Sequence, residues 1–219
     1  MNLIENGLVA QLSSGDQALL SKRCEAIDLE GGQILSTPDS STHGVFFLTS
    51  ASVALVVRNA NGVGLALGLT GREGAVGVPS AFGLGAGNLT LLVQTAGTAW
   101  RIDGGELERL ISRRSAMLLT FSRYLWSVAQ EIATVAAFSQ SQDIKARLAG
   151  WILASDLRVK QAWLDLTHAH LADMLGVRRV SITLAAAQLK EQGLVEYRRG
   201  RIRIVDREGL EKAGSIHSR

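Results

Sequence analysis

The sequence predicts an α+β protein: an N-terminal double-stranded β-roll of jelly-roll type, a long dimerisation helix, and a C-terminal winged helix-turn-helix. Three observations predict it. Of the 23 glycines, 17 lie at or before Gly105, so the front half is rich in turns and the rest is mainly helical. Between Ser115 and Phe138 apolar residues recur at spacings of three and four. Leu166 to Val205 reads as a helix, a Gly-centred turn, a second helix and a basic hairpin. Boundaries follow at 1–112 for the β-roll, 113–140 for the long helix and 141–219 for the last domain.

An opening helix, Ser13 to about Cys24, is capped at Ser14 or Asp16. Short β-like runs follow at Gly44 to Leu48, Ser52 to Arg58, Gly64 to Leu69, Thr90 to Gln94 and Ala99 to Ile102, separated by Asn-Gly, Gly-Arg and Gly-rich turns. Regular short strands with such turns indicate a β-sandwich or β-roll. The composition shifts at Asp103-Gly104-Gly105.

In the long helix Leu118, Phe121, Leu125, Val128, Ile132 and Val135 form a stripe of about three heptads, the pattern of a coiled-coil seam. Packing of this helix on its own domain is ranked lower, because a strict two-in-seven stripe suits a partner helix better than a broad core. A parallel homodimer is expected. A shorter amphipathic helix, Asp143 to Asp156, carries Ile144, Leu148, Trp151 and Ile152 into the core of the last domain.

Thr167 caps the next helix, whose Leu171, Met174 and Leu175 fall on one face, and Gly176 ends it where a left-handed residue is needed. From Arg179 to Glu191, Ile182, Ala185, Ala186 and Leu189 form the buried stripe, leaving Arg178, Arg179, Ser181 and Thr183 at the exposed front end. Two short strands, Val195 to Tyr197 and Ile202 to Ile204, flank Arg198-Arg199-Gly200-Arg201. This shape is suited to entering DNA.

Charge agrees with it. The net charge of +3 conceals a division: from Ser141 onward there are 14 Lys and Arg against 9 Asp and Glu, whereas the first 140 residues hold 9 against 11. Positive charge on the reading element is the footprint expected of a phosphate binder. Cys24 is the only cysteine, which excludes intrachain disulfides, thiolate zinc sites and a Cys-ligated iron–sulfur cluster within one chain, and it reads as a buried structural thiol. No apolar run reaches the roughly 18 residues of a membrane span, and the first residues lack a secretory signal, so a cytoplasmic protein is expected. Neither a catalytic constellation nor a metal site can be assembled, and no cofactor is expected.

Three segments, in order, resemble the Crp/Fnr family of bacterial transcription regulators over essentially the whole chain. They are Gly71-Arg72-Glu73-Gly74-Ala75-Val76-Gly77-Val78-Pro79, like the family's effector cassette; Asp143 to Leu153, like the helix entering the DNA domain; and Leu166 to Thr183, like its helix-turn-helix. The resemblance implies a cyclic-nucleotide-binding-like domain, an inverted-repeat operator and double-stranded DNA as partner. Activation would add contacts with RNA polymerase.

Two departures narrow the function. The places where cyclic-nucleotide-binding relatives put a Glu, an Arg and a Ser or Thr fall on Val78, Asn88 and Leu89, so the charge-assisted bonds to a phosphate are missing and cyclic AMP is not the expected effector. The purine-facing positions fall near Ile132 and Ala133, and the pocket should be more apolar, bordered by Leu67, Leu69, Val76 and the loop Phe82 to Asn88. A haem held by His43 is disfavoured, since an isolated loop His is ordinarily surface. In the recognition helix, Arg179 is kept but Val180 replaces a Glu and Leu184 replaces a second Arg. Arg179 is expected on guanine and Val180 on a thymine methyl, with Ser181 and Thr183 on bases or phosphates and Thr167, His168, Arg178, Arg199 and Arg201 on phosphates. Two rivals remain: a β-roll enzyme, which the scarcity of front-half His opposes, and a dimeric sensor or interaction module that no longer binds DNA.

Overall fold

A computed structural model describes residues 2–38, 44–60, 62–85, 87–141, 143–159 and 161–214, with the side chains of 138–141 outside the description. His43, weighed as a haem ligand, lies outside the described residues. The chain divides into two compact units, one of residues 1–57 and 67–133, the other of 58–66 and 134–219.

The first unit opens with α1 (Gly7–Ala10) and α2 (Ser14–Ser21). Helix α2 is capped one residue earlier than expected: the Ser13 hydroxyl accepts from the Asp16 amide at 3.2 Å and donates to the Asp16 carboxylate at 2.8 Å. The strands are β1 (Glu25–Leu29), β2 (Ile34–Ser36), β3 (Gly44–Leu48), β4 (Ser52–Arg58), β5 (Gly64–Thr70), β6 (Ala75–Val76), β7 (Leu89–Thr95) and β8 (Gly97–Asp103). They form two four-stranded sheets, in the orders β1-β8-β3-β6 and β2-β7-β4-β5. This is the β-roll. All five expected runs are strands, two with the expected bounds and three extended by one to three residues, and the sheets add β1, β2 and β6. Val45, Phe47 and Ile102 enter one apolar core and Phe46, Leu48, Val53 and Val93 another, because successive residues of a strand face opposite ways.

Helix α3 (Gly104–Ile111) follows, its first turn capped by the Asp103 carboxylate, and then α4 (Ser115–Ser141). The inward stripe of α4 differs from expectation. Phe121 is fully buried in the first unit's core, edge-on to Phe47 with ring centroids 6.2 Å apart. Leu125 packs on the same core, and Val128 and Ile132 on the second. Four of the six residues expected in an intermolecular seam therefore cover the chain's own β-roll, the arrangement the spacing alone had ranked second. The reason is geometric: an apolar sheet face and a partner helix both select residues at three-and-four spacing, and here the β-roll takes them. Of the other two, Leu118 is 40% exposed and Val135 is half-buried.

The second unit contains α5 (Ile144–Arg158), β9 (Leu164–Asp165), α6 (His168–Leu175), α7 (Arg179–Glu191), β10 (Val195–Arg198), β11 (Arg201–Ile204) and α8 (Arg207–Gly214). Asp143 caps α5 by accepting from the Ala146 amide at 2.7 Å. Leu148, Trp151 and Ile152 of α5 are buried, as are Leu171, Met174 and Leu175 of α6 and Ile182, Ala185, Ala186 and Leu189 of α7. The three-stranded order β10-β11-β9 makes the wing. In the same unit Arg58 forks onto Asp173 of α6 at 2.9 and 2.8 Å and holds that carboxyl below its ordinary range. Among the described residues no helix is long and apolar enough to cross a membrane.

Because Phe121 serves an intramolecular core, Phe121→Ala should destabilise the first unit by about 3–5 kcal/mol, the usual cost of emptying a buried aromatic site. Urea denaturation at two protein concentrations checks this: the loss should be the same at both, whereas a residue acting only at a seam between copies would lose its effect on dilution.

Candidate nucleic-acid interface and ligand cavity

Local sequence sets the angle between α6 and α7. The Thr167 hydroxyl accepts from the His170 amide at 3.1 Å and starts α6. Gly176 ends it at φ 65°, with its amide returning to Ala172 and Asp173 carbonyls, a conformation that a β-carbon disfavours. Two residues later Arg178 stands at the start of α7, which no side chain caps.

The predicted reading residues gather on one end and face of α7. Arg178, Arg179, Val180 and Thr183 are exposed, Val180 to 68%, and Ser181 is half-buried. Leu184 joins them at 62% exposure, one turn beyond Val180. Two large apolar side chains held in water on a face otherwise carrying arginine are costly unless a partner covers them. The sequence marked Leu184 only as a departure; its place four residues after Val180 was the signal that both share a face.

His168 is less free than expected. Its Nδ1 lies 3.0 Å from the Thr183 hydroxyl, whose proton goes to the Arg179 carbonyl at 3.1 Å, and its ring rests on Tyr197 with centroids 4.4 Å apart. Tyr197 donates in turn to the Leu166 carbonyl at 3.0 Å. His168 thus ties α6, α7 and β10 together. Partial burial, then the nearby Arg179 charge, lowers its pKa, and burial lowers that of His170, which favours the neutral form of both rings.

The wing turns through Arg199 at φ 46° and Gly200 at φ 83°, the left-handed pair that suits a two-residue hairpin. Arg199 projects from the tip, while Arg201 pairs with Asp165 at 2.6 Å with both partners exposed, a bond that a phosphate can replace. Trp163 lies beneath Arg198 and Arg203, 5.8 and 5.1 Å from its ring centroid. Trp163, Arg198, Arg199 and Arg201 line one surface hollow. Trp163 was not foreseen, since the two-residue β9 beside it leaves no periodicity to read, and Arg198 was placed at the wing tip without a role.

Within the first unit a cavity of about 210 Å³ lies between the cassette, β7 and α4. Of the predicted effector-pocket residues, Val76, Val78, Leu89 and Ile132 line it, whereas Leu67, Leu69 and Asn88 do not. Leu67 and Leu69 fall on the wrong parity of β5, where Thr70 faces the cavity, and Asn88 is exposed in the turn before β7. Leu125 and Val128, expected at the seam, line it as well. Tyr124 fixes α4 to the cassette: its hydroxyl donates to the Ala75 carbonyl at 2.6 Å and accepts from the Ala75 amide at 3.0 Å. A β-carbon at Gly74 would strike this ring, and one at Gly77, already at φ 78°, would strike the Gly44 carbonyl. The cassette glycines therefore serve close packing. Cys24 lies elsewhere in this unit, half-buried against the core, its thiol pushed up to about 12 by burial and by Glu106 and so kept protonated. Among the described residues no cluster of His, Cys, Asp and Glu could hold a metal ion.

Residues 146–213 match the family described as the Crp-like helix-turn-helix domain. No curated protein matches the chain by sequence. Among solved structures, a transcriptional regulator of the Crp/Fnr family from Eubacterium rectale superimposes with a TM-score of 0.76 at 16% identity, covering 96% of this chain and 99% of that one. The c-di-GMP-responsive global regulator CLP of Xanthomonas campestris gives 0.72 at 16% identity over 88% and 99%. A CRP-family transcriptional regulator from Thermus thermophilus gives 0.71 at 16% identity over 86% and 96%. At these identities the likeness is one of fold.

Since His168 and His170 both have lowered pKa values, the unfolded chain binds more protons than the folded one below about pH 6.5, and folding stability must fall as pH drops through that value. The urea midpoint of the wild type should decrease between about pH 7 and pH 5.5, and His168→Gln with His170→Gln should flatten that slope. An unchanged slope would contradict the assignment.

Proposed function

We propose that this chain, by its Crp-like helix-turn-helix domain and its fold a Crp/Fnr-type transcription regulator, acts as a homodimer that reads an inverted-repeat DNA operator. The observation that carries the reading is the exposed end of α7, where Arg178, Arg179, Val180, Thr183 and Leu184 stand together beside an arginine-tipped wing. Arg179 would bond guanine O6 and N7, a contact worth about 1–3 kcal/mol of discrimination. Val180 and Leu184, both apolar and exposed, would cover thymine methyl groups. Arg178, Arg199 and Arg201, with Arg198 added, would hold phosphates and set register without reading sequence.

The proposed dimer contact lies on α4, turned away from the β-roll. Leu119, Ser122, Trp126 and Ala133 are exposed there, with Trp126 67% exposed, and Ala129, also exposed, stands at the border of this face and the cavity. That is again a two-in-seven stripe, now with small residues that allow close helix approach and one tryptophan anchor. Paired α4 helices would place two recognition helices in successive major grooves about 34 Å apart. An effector in the first-unit cavity would act through α4, which walls that cavity and whose last turns belong to the second unit, and only by binding two states with different affinity. RNA polymerase would be the further partner if binding activates.

Selection of duplexes from random sequence tests this: the recovered motif should be two-fold symmetric, and its affinity should fall steeply with salt. Arg179→Ala should erase the guanine preference at one position per half-site at a cost of about 1–3 kcal/mol, while Arg199→Ala should weaken all sequences alike. Trp126→Glu should give a monomer by light scattering and lose tight operator binding. An asymmetric motif, or no duplex bound at low salt, would overturn the reading in favour of a module that no longer binds DNA.

A further inference from the structure

We infer that the first-unit cavity is a binding site for a small uncharged apolar molecule, of alkyl or single-ring aromatic character, and not for an anion. The inference rests on reading the cavity as the chain's ligand site, and it names the class of that ligand.

Among the described residues, no Asp, Glu, Lys, Arg or His lines the cavity; its polar side chains are Ser36, Thr70, Ser80 and Tyr124. Much of the wall's hydrogen-bonding capacity is already used. The Tyr124 hydroxyl gives and receives bonds at Ala75, with Thr70 as a further partner. The Ser80 hydroxyl donates to the Gly77 carbonyl at 2.7 Å, and the Ser80 amide goes to the same carbonyl at 3.0 Å. Pro79, beside it, has no N–H to offer. A carboxylate or phosphate placed here would lose its water without gaining a cation or a ring of donors, which is the costly way to bury a charge. Burial holds the Tyr124 hydroxyl up at about 12, so the wall carries no charge from this group at neutral pH.

Size narrows the class further. A cavity of about 210 Å³ exceeds the roughly 150 Å³ apolar hole that admits benzene and falls short of the roughly 300 Å³ at which drug-sized sites begin. Protein interiors are otherwise close-packed, so an apolar hollow of this size forfeits contacts that an occupant would restore. Leu89 and Leu91 on one side and Leu125, Val128 and Ile132 on the other would supply them. Since α4 forms the second wall, an occupant would stiffen the helix on which the proposed dimer depends.

Calorimetric titration and thermal unfolding of the full chain test this with three probes: 1-octanol, octanoate and cyclic AMP. 1-Octanol should bind saturably, one per chain, and raise the unfolding temperature; 1-hexanol, shorter by two methylenes, should bind about 15-fold more weakly, at about fourfold per methylene. Octanoate should bind at least about tenfold more weakly than 1-octanol, and the affinity of 1-octanol should be flat between about pH 6 and 9. Leu89→Phe and, separately, Leu91→Phe, each checked for native circular dichroism, should abolish saturable uptake by filling the space. No saturable heat from 1-octanol, uptake unaffected by both filling variants, or octanoate or cyclic AMP binding as tightly would overturn the inference. Gel shifts of the ligand-free protein run alongside separate the two readings: DNA binding without 1-octanol uptake sinks the ligand class alone, and uptake without DNA binding sinks the regulator alone.

Discussion

The packing of the Phe121, Leu125, Val128 and Ile132 stripe against the β-roll is the constraint from which the rest follows. Those side chains close the two apolar cores of the first unit, and Tyr124 locks the helix to the cassette by bonding both polar groups of Ala75. The stripe is therefore structural within one chain. What remains exposed is the opposite face, and what remains between helix and sheet is the cavity. A helix that is apolar on two faces has to bury both or leave one in water, and the exposed Leu119 and Trp126 mark the second face as unfinished.

The cassette glycines make that closure possible. Tyr124 can reach Ala75 only because position 74 has no β-carbon, and the turn at position 77 passes against the Gly44 carbonyl for the same reason. The sequence between them, Ala75-Val76, forms a short strand paired with β3, so the backbone that could have faced a phosphate is spent on the sheet and on Tyr124. Apolar lining and absent cation are thus two aspects of one arrangement. In the second unit a comparable economy holds: His168, Thr183 and Tyr197 bind three elements to one another, while Arg178, Arg179, Val180 and Leu184 stand exposed on α7.

Much of this is legible in the sequence. Glycine density and alternation locate five of the eight strands of the β-roll, since an exposed turn every few residues is hard to disguise. Thr167, Gly176 and the Ile182-Ala185-Ala186-Leu189 stripe locate the helix-turn-helix almost to the residue, because caps and left-handed positions are local chemistry. The partner of α4 is not legible in the same way: spacing reports that a face is buried and is silent about what buries it. Parity within β5 is equally hidden, as a shift of one residue exchanges Leu69 for Thr70 at the cavity wall. Trp163 under the wing arginines depends on a pairing between β9 and β11 across more than thirty residues, and nothing near Trp163 in the sequence announces it.

Helix α4 uses one face for its own β-roll, and in the proposed function it keeps the other for a second copy. Cross-linking of two single-cysteine variants, both carrying Cys24→Ala, tests it most directly, because a disulfide forms only where α-carbons come within about 7 Å. Under mild oxidation S122C should be captured as a covalent dimer and V128C should stay monomeric. Efficient capture of V128C, with S122C left unlinked, would contradict the account and return the seam to the other face.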